Sequence, residues 1–267
     1  MAPAPDSPLP VAVRVERDGP VATITLHRAH CRNAVDGPTA LALRQAFEQF
    51  EADDSLLVAV LTGGGGQFCA GADLTAVGDA QRGHQVAPDG SGPGPMGPSR
   101  LHFAKPVIAA VEGYAVAGGL ELALMCDLRV AARSAIFGVF CRRWGVPLID
   151  GGTVRLPRIV GQARALDMIL TGRPVAADEA LAFGLANRVV DDGCALTEAQ
   201  ALARQIAGFP QACMRADRHS ALQQWSLPLP QALQHEGAGG WAALQAEGLA
   251  GAARFAAGAG RHGAIER

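Results

Sequence analysis

Apolar β-rich runs alternate with stretches of helical periodicity along most of this chain, and that alternation constrains its fold more than any other feature. "VAVRVERDGPVATITLHR" holds two short β-rich runs around Asp18-Gly19-Pro20, a hairpin signal. "PTALALRQAFEQFEAD" (38–53) repeats apolar residues at helical spacing, with Leu41, Leu43, Phe47 and Phe50 prominent. "LLVAVLTGGGG" (56–66) reads as a buried strand ending in a glycine turn. "KPVIAAVEGYAV" (105–116) is another strand, and "AGGLELALMCD" after it a helix. "LRVAARSAIFGV" reads as a strand pair, "VRLPRIVGQARALDMILTG" as a helical region, and "AADEALAFGLANRVV" as helix, turn and strand. Strands separated by helices predict an α/β architecture with a mostly parallel sheet.

The chain divides into three parts. Residues 1–10 are Pro-rich and predict a loose tail; they lack the basic and apolar regions of a signal peptide. Residues 11–196 carry the alternating pattern and predict the core domain. Residues 197–267 are helical in pattern, with "LTEAQALARQIAGFP" the clearest piece. Their stretch 237–263 is rich in Ala and Gly, so those helices need tertiary or subunit packing to hold. Within the core, 78–100 is dense in Gly and Pro and predicts a long loop without a regular helix or central strand. A loop of that length inside a domain is usually functional or disordered.

Composition excludes several classes of function. The net charge is −2, and Lys105 is the lone lysine, so nothing argues electrostatically for nucleic acid. No apolar run reaches membrane-spanning length. The six cysteines (31, 69, 126, 141, 194, 213) are scattered without a C-x-x-C pair, against a disulfide framework or a zinc site. A cytoplasmic protein with reduced thiols, binding neither membrane nor metal, is the expectation.

Two glycine-bearing strand ends are candidates for chemistry: "FCAGADL" (68–74) and "GYAVAGGLELALMCD" (113–127). Small residues let backbone approach a ligand, and a helix start offers free N–H groups. Two such groups aimed at one point would form an oxyanion hole, able to hold a thioester carbonyl as it becomes an enolate. The bland alternative is that the glycines only serve tight turns and helix–sheet contacts. Neither segment matches a phosphate-binding P-loop or a dinucleotide fingerprint.

Together, in this order and spacing, the two segments resemble the crotonase (enoyl-CoA hydratase/isomerase) superfamily. "VATITLHRAHCRNAVD" resembles its first strand and CoA-contacting turn, and "GGTVRLPRIVGQARALDMILTGRPVAADEALAFGLANRVV" the helices and strand that follow the site. The resemblance implies a crotonase-type β-β-α superhelix with a C-terminal helical region, commonly assembled as a homotrimer or a dimer of trimers. It implies an acyl-CoA thioester as substrate and no separate cofactor. Residue by residue, it places the oxyanion amides at Ala72 and Gly118 and a catalytic carboxylate at Glu121. It places CoA contacts at Arg28, Arg32, Ala70, Asp73 and Leu74, although Arg28 could equally be a solvated cation. His27, Ala29 and Thr75 depart from the family's common Asn, Pro and Lys.

The segment "FGVFCRRWGVPLIDGG" (137–152) carries a larger departure. Related hydratases have a second glutamate four residues after the Phe-Gly pair, where this chain has Cys141. Hydration wants one carboxylate to activate water and one acid to deliver a proton at Cα. A thiol serves poorly for either, so Cys141 reads as a buried wall of the acyl pocket. Trp144 lines that pocket or fills the core. Asp150 is the nearby carboxylate, one position past Ile149, where the family's dienoyl isomerases carry an aspartate by gapless counting. It is either the second acid/base or the cap of a helix beginning near Gly151. Three functions remain open: an enoyl-CoA hydratase, an enoyl-CoA isomerase using a single carboxylate, and a weakly catalytic acyl-CoA-binding paralogue.

Overall fold

The computed structural model describes residues 11–260; the tail expected over 1–10 lies outside the described residues, as do 261–267. The predicted hairpin forms from β1 (Val13–Asp18) and β2 (Val21–Leu26), paired antiparallel across Gly19-Pro20. Next comes β3 (Val58–Gly63), parallel to β2 and buried on both faces apart from its last residue, as its unbroken apolar run demands.

The run 105–116 departs from its reading as one strand. It splits into β4 (Val107–Val111) and β5 (Tyr114–Val116), which lie in different sheets. The corner falls at Glu112-Gly113, where Gly113 takes φ +57°. The same corner recurs between β6 (Leu128–Ala132) and β7 (Ile136–Gly138), so these two do not pair with each other. A third turn of the pattern follows β3, with Cys69 bridging in parallel to Ala115. With β8 (Val175–Ala176) and β9 (Arg188–Val190), the large sheet runs β1-β2-β3-β4-β6-β9 and the small one β5-β7-β8. Strand, corner, short strand and helix repeat as a β-β-α superhelix.

Helix α1 (Gly37–Ala52) opens on Asp36, whose carboxylate accepts from the Thr39 amide at 3.1 Å, with Pro38 in the first turn. It buries Leu43, Phe47 and Phe50; each such burial is worth roughly 1.5–3 kcal/mol. Leu41, expected in this stripe, is 53% exposed, because the buried positions are 39, 40, 43, 46, 47 and 50. Helix α2 (Gly118–Met125) is buried along nearly its whole length. The predicted helical region after it is two helices, α3 (Gly152–Val160) and α4 (Gln162–Thr171), followed by α5 (Ala177–Phe183).

Helix α6 (Ala195–Ala207) lays Ala195, Ala199, Leu202 and Ala203 on Val58, Val60, Ile108 and Val130 of the large sheet. It therefore belongs to the core, and the break in packing comes after Ala207 rather than at 197. Helices α7 (Gln211–Gln223), α8 (Leu229–Ala243) and α9 (Leu249–Ala256) bury little besides Ala243. Arg218 ties α7 to the core through Asp127 at 2.9 Å and the Phe103 carbonyl at 2.6 Å. Among the described residues no helix is long and apolar enough to cross a membrane. Residues 78–100 form turns without helix or strand, as their Gly and Pro content predicts.

Candidate active site

Strand β5 hands the chain to Ala117, whose φ of +54° is uncommon for a residue with a side chain and marks stored backbone strain. Helix α2 starts at the next residue, so the Gly118 N–H has no acceptor inside the helix. The turn 70–72 abuts this opening. Gly71 takes φ +98°, and a Cβ there would stand 3.0 Å from the Gly118 nitrogen. Glycine is thus required for both the turn and the approach. Amides on either side of Ala72 are engaged differently: Val35 N–H donates to the Gly71 carbonyl and Asp73 N–H to the Val35 carbonyl. Ala72 N–H itself finds no acceptor among the described residues. Both Ala72 and Gly118 line one cleft of about 790 Å³, a size suited to a small-molecule acyl group.

Glu121 stands one turn into α2 and is 2% exposed. Its Oε1 accepts from the Asp150 and Gly152 amides, both at 2.8 Å, so the carboxylate sits on the opening turn of α3. Gly152 permits this approach, since a Cβ there would lie 2.9 Å from Oε1. Oε2 receives no hydrogen bond from any described residue. Burial, reinforced by the negative charge of Asp150, pushes the Glu121 carboxyl up to about 7. The two amides and the more distant Arg155 pull the other way. A carboxyl poised near neutrality with one free oxygen can both take and return a proton.

Asp150 also lines the cleft and is 3% exposed. It does not cap α3; the N-cap position is Gly151, and no side chain caps that helix from there. Asp150 Oδ1 instead accepts from the Met96 amide at 2.9 Å and from the Ser99 hydroxyl. Both donors belong to the long loop, whose end is therefore drawn into the protein; Met96 and Ser99 are buried. Burial raises the Asp150 carboxyl above the usual range against those bonds and the charges of Arg100 and His84.

Of the residues expected to meet CoA, Arg32, Ala70 and Leu74 line the cleft, whereas Arg28 and Asp73 do not. The Arg28 guanidinium lies 3.0 Å from Asp36 and 3.2 Å from Asp73, so two carboxylates already neutralise it. Burial disfavours the Asp73 charge, yet bonds from Thr75 and Arg28 hold its carboxyl below the ordinary value. Arg82 completes the cluster, 2.9 Å from Asp73, while its carbonyl accepts from the Gly37 amide at 2.8 Å. This network fastens the start of the long loop to the opening of α1. Cys141 and Trp144 both line the cleft. Cys141 is buried, and burial with the nearby Glu121 raises its thiol pKa. Trp144 is 70% exposed, which rules out its reading as core filling. Sequence reasoning missed His84, Met96, Tyr114, Phe140 and Arg143 on the cleft wall. The loop residues belong to no motif, so no periodicity or spacing could have singled them out.

The enoyl-CoA hydratase/isomerase family model matches residues 16–239. An enoyl-CoA hydratase of Mycobacterium tuberculosis, EchA19, is 38% identical over 221 residues, spanning 80% of this chain and 81% of that protein. A carnitinyl-CoA dehydratase of Salmonella arizonae is 43% identical over 199 residues, 73% of this chain and 74% of its own. The crystal structure of an enoyl-CoA hydratase from Mycobacterium tuberculosis H37Rv superposes with a TM-score of 0.85 at 36% identity, covering 92% of this chain and 95% of that one. With a match of this extent over a site of this geometry, the chain belongs to the enoyl-CoA hydratase/isomerase family.

Proposed function

We propose that this protein is an enoyl-CoA hydratase, adding water reversibly across the double bond of a 2-enoyl-CoA. The observation that carries the reading is Glu121, buried beside two unpartnered amides with one oxygen free and its carboxyl raised to about 7. The thioester oxygen lies between the Ala72 and Gly118 N–H groups, which bind it more tightly as it becomes an enolate. Glu121 Oε2 takes a proton from water as its oxygen attacks Cβ. Asp150 contributes its charge, which raises the proton affinity of Glu121, and its grip on Met96 and Ser99, which seats the loop against the cleft. Cys141 and Trp144 flank the acyl chain, while Arg32, with Ala70 and Leu74, meets the CoA portion. The chemistry so assigned draws on the CoA thioester alone, without a further cofactor.

We also propose a homotrimer or a dimer of trimers, because α7–α9 and their connections leave Trp225, Leu233, Trp241, Leu249 and Phe255 exposed. Six free cysteines fit a reducing compartment such as the cytoplasm.

An ultraviolet assay tests the reaction. Crotonyl-CoA loses its conjugated enoyl absorbance on hydration, while a 3-enoyl-CoA gains it on isomerisation. Loss of absorbance with crotonyl-CoA is expected. Gain with the 3-enoyl ester alone would assign an isomerase. Binding of the CoA ester without either change would assign a non-catalytic acyl-CoA binder.

A further inference from the structure

We propose that Arg155 and Arg100 are positioning residues for the catalytic base: from a cavity behind it, their guanidinium groups grip the turn whose amides hold Glu121. The inference rests on the reading of Glu121 as the base and deepens it. Glu121 takes its orientation from the Asp150 and Gly152 N–H groups, both 2.8 Å from Oε1. The carbonyls of Ile149 and Asp150, in the same turn, accept from no backbone N–H among the described residues. Buried backbone acceptors need partners, and here each partner is a guanidinium. Arg100 Nη2 donates to the Ile149 carbonyl at 2.5 Å, and Arg155 Nη1 to the Asp150 carbonyl at 3.0 Å.

The Ile149 carbonyl and the Asp150 N–H are the two ends of one peptide group. Arg100 therefore binds the oxygen of the same peptide whose N–H reaches Glu121, and a cation on that oxygen strengthens the donor at the other end. Arg155 fixes the next peptide, which lies between the two donors. Gly151 leaves room for it, since a Cβ there would collide with the Arg155 guanidinium. Arg100, Arg155 and Gly151 line a second cavity of about 820 Å³, whereas Ile149 and Asp150 line the substrate cleft. The turn is thus the partition between the two: substrate meets Glu121 on one side, and the guanidiniums act from the other without touching it.

Arg155 acts on the charge of Glu121 as well as on its position. Burial and then Asp150 push the Glu121 carboxyl up, while the Gly152 and Asp150 amides and then Arg155 hold it down. Cys141 is a further ionisable group beside Glu121, and Cys126 and Arg158 are those beside Arg155. Losing Arg155 removes a positive charge and loosens the peptide between the two amides. Both changes raise the proton affinity of Glu121.

The test uses the full-length chain with crotonyl-CoA and the variants Arg155→Ala, Arg155→Lys and Arg100→Ala, assayed below their melting temperatures. In both alanine variants kcat is expected to fall by about tenfold or more, with KM nearly constant. In Arg155→Ala the acid limb of the pH–rate profile should move above its wild-type midpoint. Arg155→Lys keeps the charge and a donor, so it should recover part of kcat and bring the midpoint back. A merely structural arginine would lower the melting temperature and leave kcat and the midpoint of the folded enzyme in place. That result in Arg155→Ala, or a midpoint that moves down, overturns the role of Arg155; an unchanged kcat in Arg100→Ala overturns that of Arg100. Should Arg155→Ala not fold, Arg155→Gln carries the test, with the same upward shift expected. Glu121 is also titrated without substrate, from the melting difference between Glu121→Gln and its parent against pH, in wild-type and Arg155→Ala backgrounds. Its window should extend to higher pH in the second background, and an identical window overturns the proposal. A wild type inactive on crotonyl-CoA overturns the hydration reading and leaves this last measurement to decide the role of Arg155.

Discussion

Replacing Glu121 with glutamine should abolish turnover while making the protein more stable above neutral pH. Glutamine is nearly isosteric, and its carbonyl can keep the Asp150 and Gly152 amide bonds that Oε1 now accepts at 2.8 Å. What it removes is a carboxyl whose burial and proximity to Asp150 raise its pKa from 4.5 to about 7. A raised carboxyl favours the folded state only while protonated. As pH climbs from about 4.5 to about 7, the unfolded chain releases this proton before the folded one does, and stability falls across that window. The full effect amounts to about 3 kcal/mol above neutrality, taken as an order of magnitude. Glutamine does not titrate, so the variant escapes the loss. Thermal melts at fixed protein concentration should show Glu121→Gln ahead of wild type at pH 8 by several degrees, with the difference shrinking toward pH 4.5. In the absorbance assay its kcat should fall by roughly 10²–10⁴-fold. For the wild type, the rate of hydration should rise through pH about 7 as Glu121 becomes the ionised base. A stability difference independent of pH would refute the electrostatic reasoning. Full activity in the variant would refute the catalytic one.

Other perturbations separate the remaining roles. Arg28→Ala should destabilise the chain by about 2 kcal/mol, measured by urea unfolding, because Asp36 and Asp73 then keep Arg82 as their one cation partner; Arg32→Ala should leave stability unchanged and raise KM for the CoA ester. Asp150→Asn removes the negative charge that raises Glu121, so the acid limb of the pH–rate profile should move below its wild-type midpoint. Gly152→Ala places a methyl 2.9 Å from Glu121 Oε1; kcat should drop by about tenfold or more, and stability should fall by about 1–3 kcal/mol as the buried Glu121 and Leu148 shift to make room.

Much of the architecture could be read from the sequence because it depends on periodicity, which is local. The parallel strands, the α1 and α2 helices and the glycine-bearing turns at Gly71 and Gly118 all follow from short segments. Glu121 was legible for the same reason, standing one turn after the glycines that open its helix. The corners between β4 and β5 and between β6 and β7 were not legible, because an unbroken apolar run looks the same whether it stays in one sheet or crosses to another. Charge partners were hidden as well. Arg28 reads as a phosphate ligand until Asp36 and Asp73 are seen beside it. Asp150 reads as a helix cap until its oxygen is found on Met96 and Ser99, more than fifty residues away.

The sequence alone, through contiguous motifs that resemble a known family, identified the family and its superhelical fold and pointed to Ala72, Gly118 and Glu121, which the structure brings to one cleft. Only the tertiary structure decided how the second half of the site is made. That half comes from a loop with no periodicity, held by long-range ion pairs and hydrogen bonds, so its position depends on contacts that no local pattern encodes.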